Sequence, residues 1–152
     1  MQELEENTIQ LGVRATLGIH LGFAITRYPE PEEWARVIRE ELGIRQVQFV
    51  SDLLQPHYPG TVIREQINKI NAVCREYDIE IKHTFTSPRY NFFGHPDKKI
   101  RSYWLDWFKR FAEISKQLGA VSMGSLLGIY SVNDLEQRRD EILEEIGRWE
   151  QV

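Results

Sequence analysis

At 152 residues, 41% hydrophobic and 28% charged, the chain has the make-up of one ordinary globular domain, neither disordered nor too short to bury a core. A net charge of −4 and a pI near 5.6 argue against nucleic acid as a partner, and no apolar run approaches the roughly 20 residues of a membrane span. The acidic start from Met1 to Asn7 is the opposite of a signal peptide, and a lone Cys74 excludes an internal disulfide, so a reducing cytoplasm is expected.

Residues 1–14 read as a polar arm and residues 15–152 as a single domain. Strand one is expected over Leu17–Ala24, with Ile19, Leu21 and Phe23 on one face and Gly18, His20 and Gly22 on the other. Pro29 and Pro31 stop it. Helix one follows with Trp34, Val37, Ile38 and Leu42 at helical spacing and ends at Gly43. Strand two is Gln46–Val50, running on to Ser51 and Asp52, with Val47 and Phe49 opposite Gln48, Val50 and Asp52. Helix two starts near Thr61 and carries the stripe Ile63, Ile67, Ile70, Cys74 and Tyr77. Strand three is the β-branched and aromatic run Ile79–Thr86. After the aromatic loop Ser87–Asp97, Asp97 can cap helix three, which shows Ile100, Trp104, Trp107, Phe108, Phe111, Ile114 and Leu118. Strand four is Ala120–Ser125. Ser131 or Asn133 caps helix four, with Leu135, Ile142, Ile146 and Trp149 inward.

The joins Leu42-Gly43 and Leu118-Gly119 each pair a helix's last apolar residue with a glycine able to cap it. They lie 76 residues apart, two strand–helix units, so the chain holds four. The expected fold class is α/β: a (β/α)4 unit of four parallel strands, each followed by a helix. That is half of a TIM barrel, which needs about 250 residues when closed.

The segments Gly18–Ala24, Trp34–Gly43, Val47–Leu53, His83–Thr86, His95–Asp97, Tyr103-Trp104 and Ser122–Ser125 follow one another in a telling order and spacing. Together they resemble the amino-terminal half of the sugar phosphate isomerase/epimerase family, the xylose isomerase-like barrels, from about Leu17 to Trp149. The resemblance implies chemistry on ketoses or ketose phosphates. A base removes a proton beside a carbonyl, and a divalent metal, Mn or Mg, holds the enediolate. The family takes its metal ligands (two Glu, one Asp and one His) from strands five to eight. No catalytic or metal residue therefore carries over to a position of this chain, and the metal is not expected on this chain alone.

Ligands of parallel α/β sheets gather at the carboxyl ends of the strands. The candidate lining there is His20, Phe23, Gln48, Asp52, His83, Thr84, Thr86 and Ser125. Each has a plainer reading: His20 as a hydrogen-bonded core residue, Asp52 as a turn or cap residue. Alternation leaves open which of Lys82 and His83 faces inward. His95 reads as a loop or cap residue and His57 as exposed. Tyr90, Phe92 and Phe93 are either a lid that excludes water or a loop packed over the barrel mouth. Gly124, Ser125 and Gly128 can offer backbone N–H groups to a phosphate, or simply give a turn room. The Glu and Arg residues of helices one and four, among them Glu32, Glu33, Arg36, Arg138, Arg139, Glu144 and Glu145, read as solvated outer faces.

Three function readings compete. One is an isomerase or epimerase half-barrel, active only when a partner half completes it. Another is an inactive self-associating module with the same fold. The third is an endonuclease IV-like metal-dependent nuclease, weakened by Leu126-Leu127 after strand four and by the acidic charge. The expected partner is a second copy, as a homodimer, or a complementary half-barrel. A small sugar is the expected substrate, with no role for nucleic acid or membrane. Open edges on strands one and four call for such pairing.

Overall fold

Three helix-to-strand joins turn on left-handed residues. Gly43 and Gly119 have φ of 66° and 85°, as their positions suggested, and at the third join Asp78 takes φ 52°. That region costs a side chain roughly 1–2 kcal/mol, and Asp is among the few residue types that visit it. Its carboxylate also pairs with Arg45 at 2.9 Å. Backbone bonds close each cap: Ile44 N–H donates to the Ile38 carbonyl at 3.0 Å, Ile79 to Cys74 at 2.8 Å, and Ala120 to Ser115 at 3.0 Å.

The computed structural model describes residues 16–86, 92–126 and 136–150. They contain the strands β1 (Gly18–His20), β2 (Gln46–Val50), β3 (Glu80–Thr86) and β4 (Ser122–Ser125), parallel in one sheet of order β1-β2-β3-β4. The helices are α1 (Pro31–Arg36, prolonged by the π turn Val37–Glu41), α2 (Gly60–Glu76), α3 (Lys98–Gln117) and α4 (Arg139–Trp149). The expected half-barrel topology is the observed one.

One face of the sheet packs on the helices. Val47, Phe49 and Ile81 share a core with Trp34, Ile38, Ile67, Ile70, Phe108 and Phe111. Fully burying side chains of this kind contributes about 1.5–3 kcal/mol each, so the helical stripes hold the sheet flat against them. Thr84 also lies on this face, fully buried, and donates to Ser115 Oγ of α3 at 2.7 Å. The Ser115 hydroxyl in turn donates to the Phe111 carbonyl at 2.8 Å.

Several boundaries shift. Strand one ends at His20, whose side chain accepts the Gly22 N–H and turns the chain into the 3-10 segment Leu21–Phe23 and one helical turn, Ala24–Arg27. Leu42 is 48% exposed, off its expected stripe, because a π turn adds a residue per turn and carries it past the core. Ile100, in the first turn of α3, is 37% exposed. Ala120 and Val121 precede β4 rather than opening it. The cap candidates Ser131 and Asn133, with Leu135 and Gly128, lie outside the described residues.

Candidate functional site

The other face of the sheet is open. Register sets His20 beside Gln48, Gln48 beside His83, and His83 beside Ser122, so one polar residue from each strand forms a single row. Three of the four are exposed, and Gln48 is half-buried. Strands about 4.8 Å apart put the two histidine backbones about 10 Å from each other. His83 Nδ1 and Ser122 Oγ share a hydrogen bond of 2.8 Å, and His20 Nδ1 accepts the Gly22 N–H at 3.0 Å. Beside the row, the Phe85 ring of β3 meets the His20 ring edge-on, with centroids 6.0 Å apart. Gly124 of β4 makes room for Phe85, since a Cβ there would stand 3.0 Å from its Cδ2. The two rings, from β1 and β3, thus meet across β2 on this face.

A bulge settles the choice between Lys82 and His83. Val47 pairs with Ile81 but Gln48 pairs with His83, which leaves Lys82 as the extra residue. Ile81 and Thr84 both face the helices. Of the two residues between them, His83 reaches Ser122 on the open face, while Lys82 pairs with Glu80 at 2.9 Å. The Lys82 hydrogen bond, with Arg45 nearby, holds the Glu80 carboxyl below the usual range.

No family model matches the chain. The D-erythrulose 1-phosphate 3-epimerase of Brucella abortus (strain 2308) is 29% identical over 142 residues, covering 90% of this chain and 46% of its own length. A Rhodospirillum rubrum ATCC 11170 structure, provisionally named a xylose isomerase, superposes with a TM-score of 0.81 at 27% identity, over 90% of this chain and 48% of that one. The four strands and their helices have the fold of half a xylose isomerase-like barrel. It spans about half the length of the curated relative it matches. The D-psicose 3-epimerase of Clostridium cellulolyticum H10 shares the fold, with a TM-score of 0.61 at 18% identity over 90% of this chain and 49% of its own.

In the half-barrel the pocket candidates divide by face. His20, Gln48 and His83 lie together on the open side. Thr84 and Thr86 do not: the bulge turns both to the helix side, where they are fully buried. Thr86 donates to Ser125 Oγ at 2.7 Å, so Ser125 points the same way. It lines an apolar cavity of about 460 Å³ with Phe93, Phe108, Met123, Ile146 and Trp149. Phe23 sits half-buried in the turn after β1, its ring 6.2 Å from that of Tyr28. Asp52 is exposed in the 3-10 turn Ser51–Leu53, at the carboxyl end of β2. His95 is a cap residue: its Nδ1 accepts the Asp97 N–H at 3.0 Å, and Asp97 caps α3 through Lys99 N–H at 2.8 Å. Tyr90 lies outside the described residues, and of Phe92 only the backbone is described. Phe93 is 2% exposed with its ring 4.9 Å from that of Trp149, a core residue rather than a lid.

The half-barrel also holds a clasp that charge patterning conceals. Glu145, expected on a solvated face, is 2% exposed and accepts from Arg101 Nε at 2.9 Å, Arg148 Nη1 at 2.9 Å and Trp149 Nε1 at 3.2 Å. Arg101 Nη1 donates onward to the His95 and Pro96 carbonyls, and Arg138 Nη1 to that of Gly94. The clasp fastens α4 to the turn before α3. Burial pushes the Cys74 thiol up to about 12, which suits an inert core residue. Among the described residues no three His, Cys, Asp or Glu side chains converge, so these residues give a divalent metal no seat. No helix among them is long and apolar enough to cross a membrane.

Proposed function

We propose that the half-barrel is the amino-terminal half of an isomerase or epimerase of ketoses or ketose phosphates, competent for proton transfer beside a carbonyl only when a complementary half completes the barrel. The observation that carries this reading is the open face, where His20, Gln48, His83 and Ser122 present a row of hydrogen-bonding groups. A row of that kind matches the hydroxyl and carbonyl oxygens of a sugar. The relationship to a D-erythrulose 1-phosphate 3-epimerase supports a ketose phosphate. The Mn or Mg ion expected of such chemistry, a Lewis acid for the developing charge, is assigned to the completing half together with the acid/base carboxylates.

Alone, the chain associates as a twofold dimer, strand β4 of each copy meeting β1 of the other in parallel. Sedimentation at micromolar concentration, with an epimerisation assay on D-erythrulose 1-phosphate and Mn, tests both parts. The expected result is a species of two 18.0 kDa chains without turnover. Turnover by a demonstrably monomeric sample refutes the reading. The row contains no carboxylate, which also favours a second reading, a sugar-binding module without chemistry. Ketose binding that no complementary half converts to turnover would support that one.

A further inference from the structure

His20 carries two marks of a side chain held in one attitude. Its Nδ1 accepts the Gly22 N–H at 3.0 Å, and a Cβ at residue 22 would lie 2.7 Å from both Nδ1 and Cε1 of the ring. No side chain fits there without driving the imidazole off its partner. A neutral imidazole whose Nδ1 accepts a hydrogen bond keeps its single proton on Nε2. The ring stays exposed on the open face, braced edge-on by Phe85 at 6.0 Å, and Phe85 is itself seated over Gly124.

We propose that Gly22 is a positioning residue that presents His20 as an Nε2–H donor to an uncharged oxygen, the carbonyl or a hydroxyl of a ketose, at the β1 end of the polar row. This rests on the reading of the open face as a sugar site and adds the atom that binds and the glycine that aims it. His83 is set differently. Its Nδ1 is engaged by a side-chain hydroxyl, Ser122 Oγ, which can donate or accept, so its tautomer is free to change where that of His20 is fixed.

Long-range 15N–1H spectra of the imidazoles in the full chain, with and without D-erythrulose, test this. The expected wild-type result is an unprotonated Nδ1 and a protonated Nε2 on His20, a through-bond coupling between the Gly22 amide and Nδ1, and a shift of Nε2 with the ketose. Gly22→Ala is expected to lower the Nε2–H to Nδ1–H ratio about fivefold, the worth of one ordinary hydrogen bond, and to abolish the ketose-induced shift. A wild-type His20 protonated on Nδ1, or one unmoved by saturating D-erythrulose, overturns the proposal, and neither result depends on the variant folding. Failure here is separable from failure of the functional reading. A His20 shift with no turnover in any completed barrel sinks the epimerase and leaves the donor in place, whereas turnover without a His20 shift does the reverse.

Discussion

Arg101 of α3 donates from Nε to Glu145 of α4 at 2.9 Å, with their side chains only 9% and 3% exposed. An ion pair so far from water is costly to form and costlier to break by halves. Glu145→Ala, which removes the buried charge facing Arg101 and leaves its guanidinium only the His95 and Pro96 carbonyls and Glu141 at 3.9 Å, is expected to lose about 3 kcal/mol in urea unfolding. Glu145→Gln, which keeps an acceptor, should lose less. A loss under about 1 kcal/mol for the alanine variant would show that α4 is held by its apolar contacts alone.

Thr84 and Ser115 form a second buried contact, between β3 and α3. Thr84→Val removes the donor while keeping the shape and should cost about 1 kcal/mol, the usual net worth of such a bond. Ser115→Ala should cost less in that variant than alone, because only its bond to the Phe111 carbonyl then remains to be lost. Equal additive losses in a double-mutant cycle would show that the hydroxyls are uncoupled.

Gly124 keeps the open face clear for Phe85. Gly124→Ala puts a methyl about 3 Å from the ring, a contact that must give by a few tenths of an ångström. The expected loss is about 1 kcal/mol, relieved when Phe85→Leu is added. Amide shifts at His20 should follow the ring. Unchanged His20 resonances in the single variant would disprove the coupling.

Cys74 should resist thiol reagents. With its pKa raised by burial from 9.0 to about 12, the native thiolate fraction at pH 8 is about a thousandfold below that of a free cysteine. Labelling should be slow in buffer and fast in guanidinium. The unfolded thiol ionises first, so this group's contribution to stability is intact below pH 9 and falls as pH rises from 9 toward 12. Rapid native labelling at pH 8 would contradict the burial.

Leu17 and Val121 immediately precede the two edge strands, and each is 75% exposed. A parallel meeting of β4 with a second copy's β1 brings these same ends together. Leu17→Asp or Val121→Asp should weaken self-association at least about tenfold, the effect of about 1.4 kcal/mol, with little change in monomer unfolding. Sedimentation identical to wild type would place the contact elsewhere.

The helical stripes and the glycine caps were legible because each depends on residues within a few turns of one another. Trp34, Ile38, Ile67, Phe108 and Phe111 advertise their burial by spacing alone. Asp78 did the work of a cap glycine without looking like one, so one join in three escaped the cadence. The faces of β3 were beyond reach for a different reason. A bulge is a relationship between two strands, and the residues from Lys82 to Thr86 alternate no differently with it than without it. Alternation puts His20 and Gln48 on one face, as in the sheet, but gives no sign that Thr84 and Thr86 turn to the helices. Glu145 failed similarly, since its burial is decided by Arg101, 44 residues earlier.

Among the described residues, every strand of the sheet hydrogen-bonds only to the strands adjacent in sequence. A chain with that wiring can be laid down as it leaves the ribosome, at roughly 5–20 residues per second, each new strand finding its neighbour already made. Loop-closure entropy is then met in short instalments, which favours fast, orderly folding over the late long-range search of a sheet with distant pairings. In the proposed dimer, joining the first edge to the last comes after this, and between separate molecules its rate would rise with the number of chains in the cell. For such a dimer, expression level would set the pace of the final stage of folding.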